Sequence, residues 1–266
     1  MNVLRALVIL FLSTATYADY LRFPAPSPDG TAIAFSARGD LWIVDAAGGT
    51  AVRLTSNPGY DSNPVWSPDG SRLAFSSDRY GNDDLFSISR EGLELKRHTF
   101  ASSRDLLCDW SPDGKNLLFY AWRDFGYHWQ PSLYEVDVRG GTPFRILQDF
   151  GAYATYGPTS STITYVPRTN YYFTKGYMGA AQMDIFMWDR SAGTHRRITD
   201  WKGDDVHAMW LPDGSGFYYI SDHDRVSILW FVDLASGTTT QKTFYTTGDI
   251  TRSEERRVGK ECRSRW

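Results

Sequence analysis

The residues that most often carry enzyme chemistry are few in this sequence and form no recognised catalytic pattern. No two histidines stand at the i, i+4 spacing of a zinc-binding helix. The sequence also contains no His-Glu-x-x-His, Gly-x-Ser-x-Gly or Gly-x-x-x-x-Gly-Lys-Ser/Thr motif. The five histidines are His98, His128, His195, His207 and His223. Only the stretch Ser221-Asp222-His223-Asp224 has the residue types of a catalytic triad or a calcium loop.

That stretch has a counterpart elsewhere in the chain, which favours a structural explanation. It aligns with Ser77-Asp78-Arg79-Tyr80-Gly81-Asn82, and a polar segment that recurs between two apolar runs is typical of a hairpin turn. We therefore predict that this chain has no catalytic residues, no cofactor and no metal site.

Cysteine usage adds no further chemistry. Cys262 falls in the charged C-terminal segment 252–266, so Cys108 is the single thiol of the remaining chain and has no partner for an internal disulfide. Its place just before Trp110, at the start of a strand turn, predicts burial.

A repeated turn organises the chain around these residues. Trp66-Ser67-Pro68-Asp69-Gly70 recurs at Trp110-Ser111-Pro112-Asp113-Gly114 and, with one change, at Trp210-Leu211-Pro212-Asp213-Gly214; an earlier copy is Ser27-Pro28-Asp29-Gly30. Proline fixes φ, aspartate hydrogen-bonds the backbone two residues on, and glycine takes the positive φ that follows. A degenerate copy is expected at Tyr156-Gly157-Pro158-Thr159-Ser160-Ser161.

Each turn is followed by a short apolar run, a polar turn, a second apolar run, and a fourth segment such as Arg53-Leu54-Thr55 or Arg197-Ile198-Thr199. Four short antiparallel strands per unit predict an all-β fold, a β-propeller. We expect five blades and the start of a sixth. The approximate boundaries are 20–55, 56–99, 100–148, 149–200 and 201–243, with the sixth beginning at 244–251.

Both chain ends differ from the repeat. Arg5, the apolar run from Ala6 to Leu12 and the small-residue site at Ala18 predict a signal peptide, residues 1–18, that is cleaved after Ala18. We expect a periplasmic or secreted protein with no membrane segment after cleavage.

Segment 252–266 resembles the translation of a short-read sequencing adapter, which indicates a non-native tail.

Charge argues against nucleic acid as a partner. The tail holds six basic and three acidic residues, and the signal peptide holds Arg5. Residues 19–251 therefore contain 21 basic and 28 acidic residues. A net charge of −7 is unfavourable for contacts with a phosphate backbone.

Residues that recur in every blade are expected to pack between blades, as Trp66, Trp110 and Trp210 would. Functional candidates are residues that interrupt the repeat. Two aromatic insertions do so, at 121–130 and 168–180, and they supply Trp122, Arg123, Lys175 and Tyr177. Their composition suits an extended peptide or a sugar, and packing over a blade edge is the structural alternative.

The repeat unit resembles the propeller repeats of TolB and of several peptidases. Two stretches resemble tricorn-type serine peptidases more specifically. They are Asp19-Tyr20-Leu21-Arg22-Phe23-Pro24 with Gly39-Asp40-Leu41-Trp42, and Lys175-Gly176-Tyr177-Met178-Gly179-Ala180 leading into Asp184-Ile185-Phe186-Met187-Trp188. The resemblance covers about 19–251.

This resemblance implies a six-bladed, non-catalytic propeller that helps confine peptides or unfolded polypeptide. The parent would be a large homo-oligomer whose catalytic serine peptidase domain lies beyond Thr251. In the family, a basic residue before the third blade binds the peptide carboxylate. The matching segment offers Arg104, for which an ion pair with the adjacent Asp105 is the alternative.

Two other functions stay open at this point. One is a TolB-like periplasmic propeller that acts as a protein-binding scaffold without a catalytic domain. The other is a propeller that caps an α/β-hydrolase peptidase, which predicts a Gly-x-Ser-x-Gly motif after the last blade. The fold alone does not separate these functions.

Overall fold

The computed structural model of the protein describes residues 21–123, 130–169, 182–201, 203–223 and 226–244. These ranges form twenty β-strands in five four-stranded antiparallel sheets, each with its strands in chain order. The prediction of a β-propeller with four-stranded blades is confirmed. The described ranges hold five blades, whereas the family resemblance implies six. They include no helix with the length and hydropathy needed to cross a membrane.

The strands of each blade run from the propeller axis to its outer edge. Blade 1 contains β1 (Arg22–Pro26), β2 (Ala32–Ala37), β3 (Asp40–Asp45) and β4 (Val52–Arg53). Blade 2 contains β5 (Asp61–Trp66), β6 (Arg72–Ser77), β7 (Asp84–Ser89) and β8 (Lys96–Arg97). Blade 3 contains β9 (Asp105–Trp110), β10 (Asn116–Ala121), β11 (Ser132–Asp137) and β12 (Phe144–Arg145).

The last two blades repeat the pattern. Blade 4 contains β13 (Ala152–Tyr156), β14 (Thr162–Val166), β15 (Phe186–Asp189) and β16 (Thr194–Arg197). Blade 5 contains β17 (Asp205–Trp210), β18 (Gly216–Ser221), β19 (Ile228–Asp233) and β20 (Thr239–Gln241). The innermost strands β1, β5, β9, β13 and β17 pack each on the next, which places them around a common axis.

The repeated turn joins the first and second strands of a blade as predicted. In blade 2 the Asp69 carboxylate accepts hydrogen bonds from the Ser67 hydroxyl (2.6 Å) and the Ser71 backbone N–H (3.1 Å), and Gly70 has φ 69°. These hydrogen bonds hold the pKa of Asp69 below its ordinary value, the bond from Ser67 contributing most. The degenerate copy in blade 4 keeps the backbone hydrogen bond that closes the turn between the first two strands. In this bond the Gly157 N–H donates to the Thr162 carbonyl at 2.8 Å.

The hydrophobic core lies between blades rather than within one blade. One cluster joins Ala74 and Leu85 of blade 2 to Leu117 and Phe119 of blade 3, and a similar cluster fills each of the other three junctions. Phe119 is fully buried, and burial of such a ring contributes about 1.5–3 kcal/mol. Stability therefore depends on contact between neighbouring blades, as in other repeat proteins.

The repeated tryptophans lie at these junctions, in agreement with their predicted packing role. The Trp66 Nε1–H of blade 2 donates to the Ala25 carbonyl of blade 1 at 2.9 Å. In the same way Trp210 of blade 5 donates to Thr164 Oγ1 of blade 4 at 3.2 Å. Trp110 is equally buried, but its Nε1 makes no hydrogen bond to the described residues.

This difference predicts that replacing tryptophan with phenylalanine lowers the stability of the chain by different amounts at Trp66 and Trp110. Trp66→Phe removes a hydrogen bond between blades, while Trp110→Phe removes a donor that has no acceptor in the described ranges. We expect Trp66→Phe to lower the free energy of unfolding by about 1 kcal/mol more than Trp110→Phe does. Urea denaturation of the two matched variants measures the difference. Equal losses would contradict a stabilising role for the bond to Ala25.

Candidate functional site

All the sequence-predicted site residues that the structure describes lie on one side of the propeller. We call this side the insertion face. It is the side on which the innermost strands begin, at Asp61, Asp105 and Asp205, and on which the second strands end. Arg104 directly precedes β9, and Trp122 and Arg123 directly follow β10. Lys175 and Tyr177 lie outside the described residues.

Arg123 is part of a buried ion pair. Its Nε donates to Asp105 Oδ1 at 2.9 Å and its Nη2 donates to Asp105 Oδ2. The Asp105 side chain is fully buried, and burial raises its pKa while Arg123 opposes that rise. The guanidinium also lies over the rings of Phe119 and Tyr134, 5.4 and 5.7 Å from their centres. These contacts tie Arg123 to the blade interior, and its role in substrate binding stays a prediction.

Arg104 has a different environment and a different partner from the one expected. Its Nε donates to the Asp83 carboxylate at 2.6 Å, whereas Asp105, the expected partner, pairs with Arg123. The Arg104 side chain is 62 % exposed, so the pair with Asp83 faces solvent and contributes about 0–1 kcal/mol. A peptide carboxylate could replace Asp83 at little cost, and the binding role of Arg104 stays a prediction.

Trp122 belongs to a chain of aromatic rings that crosses three blades. Its ring lies 5.6 Å from Tyr120, Tyr120 lies 5.7 Å from Tyr153 of blade 4, and Tyr153 lies 4.8 Å from His207 of blade 5. We call Tyr120, Trp122, Tyr153 and His207 the aromatic patch. Trp122 and Tyr153 are half-buried, so the patch offers apolar ring surface to a ligand.

The bases of the two insertions are joined. The Thr169 backbone N–H donates to Gln130 Oε1 at 2.9 Å, and Gln130 Nε2 donates to the Thr169 carbonyl at 3.3 Å. Gln130 is the last residue of the first insertion and Thr169 is the second residue of the other. The described ends of the two insertions are therefore joined on the insertion face.

The patch borders the central channel of the propeller. A cavity of about 10 Å³, room for one water molecule, is lined by residues from the innermost strands of blades 2 to 5. Asn63 comes from β5, Cys108 from β9, Tyr153 from β13 and His207 from β17. The predicted burial of Cys108 is confirmed, since it is 7 % exposed.

A β-bulge in each innermost strand lies next to the channel. Each innermost strand has a register shift near its third position, and the residue there has a positive φ in four blades. The residues and their φ angles are Phe23 (53°), Asn63 (52°), Tyr153 (49°) and His207 (59°). Non-glycine residues in this conformation are strained, and such strain is often found at binding sites.

The channel wall offers polar as well as aromatic contacts. Asn63 Oδ1 is buried, lines the one-water cavity and makes no hydrogen bond to the described residues, so it can accept one from a water molecule there. The described residues contain no group of three or more His, Cys, Asp or Glu side chains arranged to hold a metal ion. The described part of the channel wall therefore combines aromatic rings with one buried amide oxygen.

Two neighbouring carboxyl groups at the start of β17 have displaced pKa values. Burial raises the pKa of Asp205 to about 7 and that of Asp204 to about 6. Asp204 accepts a hydrogen bond from the Met183 backbone N–H at 2.9 Å. Asp205 is fully buried and pairs with no cation of the described residues; the hydroxyl groups of Ser221 and Thr199 beside its carboxylate lower its pKa less than burial raises it.

The sequence reasoning missed Asn63, Tyr153, His207 and Asp205. A signal for Asp205 was present, because the intervals from Asp61 to Arg79, from Asp105 to Arg123 and from Asp205 to His223 are all 18 residues. No comparable signal marks the channel residues, since their residue types differ from blade to blade.

Comparison with known proteins identifies the family of this propeller. The family model of the tricorn protease N-terminal β-propeller domain matches residues 18–257. Tricorn protease homolog 1 of Streptomyces coelicolor is 27 % identical over 222 residues, which are 82 % of this chain and 20 % of that protein. The chain therefore spans about a fifth of the length of this relative.

Two solved structures have a similar fold at lower identity. The crystal structure of the tricorn protease superposes with a TM-score of 0.73 at 22 % identity, over 86 % of this chain and 23 % of that one. TolB of Acinetobacter baumannii superposes with a TM-score of 0.70 at 21 % identity, over 88 % of this chain and 56 % of that one. At these identities the likeness supports the fold alone.

Proposed function

Because the chain belongs to the tricorn protease N-terminal β-propeller family, we propose that it is the non-catalytic first propeller of an exported tricorn-like serine peptidase, in which it guides or confines peptides. The observation that carries the proposal is the family match over residues 18–257. The aromatic patch beside the central channel supports it, since the half-buried rings of Trp122 and Tyr153 can contact a peptide. In this proposal peptide bonds are cleaved by another part of the parent protein, which acts as a homo-oligomer.

The patch suits many peptide sequences because its contacts do not select one side chain. Ring faces of Trp122 and Tyr153 provide contact area at small entropic cost and do not distinguish between backbone segments of different sequence. Arg104, on the same face, can pair with a terminal carboxylate in exchange for Asp83. Together these groups would hold an extended chain loosely, as guidance toward a distant active site requires.

We expect Trp122→Ala to weaken binding of an unfolded polypeptide about 5- to 30-fold, because loss of an aromatic anchor costs about 1–2 kcal/mol. The probe is reduced, carboxymethylated α-lactalbumin carrying a fluorescent label, and its anisotropy is measured against the full chain. Phe144→Ala is the matched control, since Phe144 is an exposed aromatic residue on the outer strand β12. Equal effects of both variants, or no binding by the unmodified chain, would refute the peptide-guiding role.

The parent protein requires a separate test, because the alternatives predict the same behaviour of this chain alone. The locus is amplified from source DNA and read in one long read across Thr251. A reading frame that continues into a serine peptidase domain supports the tricorn-like parent. A frame that ends soon after one more blade favours a TolB-like scaffold, and a Gly-x-Ser-x-Gly motif after the last blade favours an α/β-hydrolase peptidase.

A further inference from the structure

Blades 2 and 3 each contain the same internal binding arrangement for a guanidinium group. In blade 2 the Arg79 Nη2 donates to both Asp61 oxygens at 2.9 and 3.0 Å, and its Nε donates to Ser77 Oγ at 2.8 Å. The guanidinium carbon lies 5.4 Å from the Phe75 ring centre and 4.6 Å from that of Phe86. In blade 3 the corresponding ion pair joins Asp105 and Arg123 over the rings of Phe119 and Tyr134, and Ala121 stands at the position of Ser77.

Blade 5 has a carboxylate, a serine and two larger aromatic rings at the positions of this arrangement, and it lacks the arginine. Asp205 corresponds to Asp61 and Ser221 to Ser77, because both pairs are cross-strand partners at the same end of their blades. Tyr219 and Trp230 correspond to Phe75 and Phe86, which are also cross-strand partners. At the arginine position stands His223. We call Asp205, Tyr219, Ser221 and Trp230 the blade 5 slot.

The charge balance of the slot differs from that of blades 2 and 3. Asp205 is fully buried and pairs with no arginine or lysine of the described residues, whereas Asp61 receives two bonds from Arg79. The hydroxyl groups of Ser221 and Thr199 lie beside the Asp205 carboxylate and supply no positive charge. Asp184, Asp204 and Asp222 lie nearby and add negative potential. Of these, Asp184 is paired with Arg197 at 2.9 Å. A buried carboxylate in such surroundings favours a cationic partner.

The outer side of the slot is bordered by rings. His223 is half-buried, with its ring centre 5.0 Å from Trp201 and 6.0 Å from Trp230. Trp201 is 41 % exposed, so this border faces solvent. The shorter histidine takes the position from which an arginine reaches the carboxylate in the other two blades.

We propose that the blade 5 slot binds the guanidinium group of an arginine side chain. A guanidinium matches the slot better than an ammonium does, because it is planar, stacks on aromatic faces and donates two parallel hydrogen bonds to one carboxylate. The same chain demonstrates this match twice, at Asp61 and Asp105. The proposal does not depend on the peptidase role of the parent.

The test uses the full chain at pH 8, where Asp205 is ionised, with N-acetyl-L-arginine methylamide as the probe. Saturation-transfer NMR is expected to show binding with a Kd of about 1 mM, and the lysine and citrulline analogues are expected to bind more weakly. Asp205→Asn should weaken binding at least about tenfold. Asp200→Asn, which removes an exposed charge of the same blade region, should leave binding unchanged.

His223→Arg is the decisive second variant, because it restores the internal pair of blades 2 and 3. The variant should fold, melt at a higher temperature and lose the probe. Arg225→Ala tests Arg225, which lies outside the described residues, as a competing source of guanidinium within the chain. Binding by Arg225→Ala but not by the unmodified chain would identify that source. The proposal is overturned if neither protein binds, if citrulline binds as well as arginine, or if folded His223→Arg still binds.

Discussion

Replacing Arg123 with alanine is expected to lower the free energy of unfolding by about 3–5 kcal/mol, a loss large enough to unfold a marginally stable domain. The reason is that Asp105 is fully buried and would lose both charge-assisted hydrogen bonds that neutralise it. The variant would also leave the rings of Phe119 and Tyr134 without the cation that covers them. Urea denaturation at pH 7.5 measures the loss.

Arg104→Ala is the matched control for this prediction, since Arg104 is an arginine on the same face with an exposed ion pair. We expect it to change stability by less than about 1 kcal/mol. The double variant Asp105→Asn with Arg123→Met should recover part of the loss, because no unpaired charge is then buried. If Arg123→Ala kept its stability and lost polypeptide binding instead, Arg123 would be a ligand-binding residue, as the sequence first suggested.

Asp205→Asn is expected to stabilise the chain at pH 8, by an amount on the order of 4 kcal/mol at most. Burial raises the pKa of Asp205 to about 7 in the folded chain, from 3.8. Below pH 3.8 the Asp205 carboxyl is protonated in both the folded and the unfolded chain, and its contribution to the stability of the folded state is fully present. Between pH 3.8 and 7 the carboxyl ionises in the unfolded chain but stays protonated in the folded chain. Ionisation therefore favours the unfolded chain, and the stability contributed by Asp205 is lost progressively as the pH rises. Asparagine does not ionise and removes that loss.

The measurement is the difference in urea midpoint between Asp205→Asn and the unmodified chain, taken from pH 4 to pH 8. The difference should be small at pH 4 and grow with pH. Asp200→Asn, at an exposed position, should show no such growth. Arginine must be absent from the buffer, because a bound guanidinium would stabilise the ionised carboxylate. A pH-independent difference would indicate that Asp205 is paired in solution.

The fold was predictable because the information is repeated along the chain. Each Ser-Pro-Asp-Gly turn fixes the same hairpin by its own local chemistry, and several copies in register identify the blade even where one is degenerate, as at Gly157. The junction role of Trp66 and Trp210 followed from the same repetition. Local sequence preferences and the global fold agree at these positions.

The partners of the arginines were harder to predict from the sequence. Asp105 stands next to Arg104 in the chain, yet it pairs with Arg123, 18 residues away. Successive side chains of an extended segment point to opposite sides, so sequence neighbours rarely form the best ion pair. The hairpin of β9 and β10 instead brings the start of one strand to the end of the other.

The channel residues could not be predicted because their conformation is imposed by the propeller. Tyr153 and His207 have positive φ angles at bulges of the innermost strands, where glycine or asparagine would have marked the irregularity. Asn63 and His207 have residue types that are enriched in this backbone conformation, but neither type is specific to it. The conformation of Tyr153 depends on packing around the axis, which a single sequence does not display.

The hydrogen bonds between Gln130 and Thr169 make the link between the two insertions depend on a single side chain. The Gln130 amide supplies one donor and one acceptor, as a backbone peptide unit would, and its partners are the N–H and the carbonyl of Thr169. Any residue other than proline offers the same two backbone groups at position 169. Engineers who graft a new second loop onto this scaffold therefore keep the link if they keep Gln130 and the backbone path at 169, whereas a new first loop must bring a glutamine of its own.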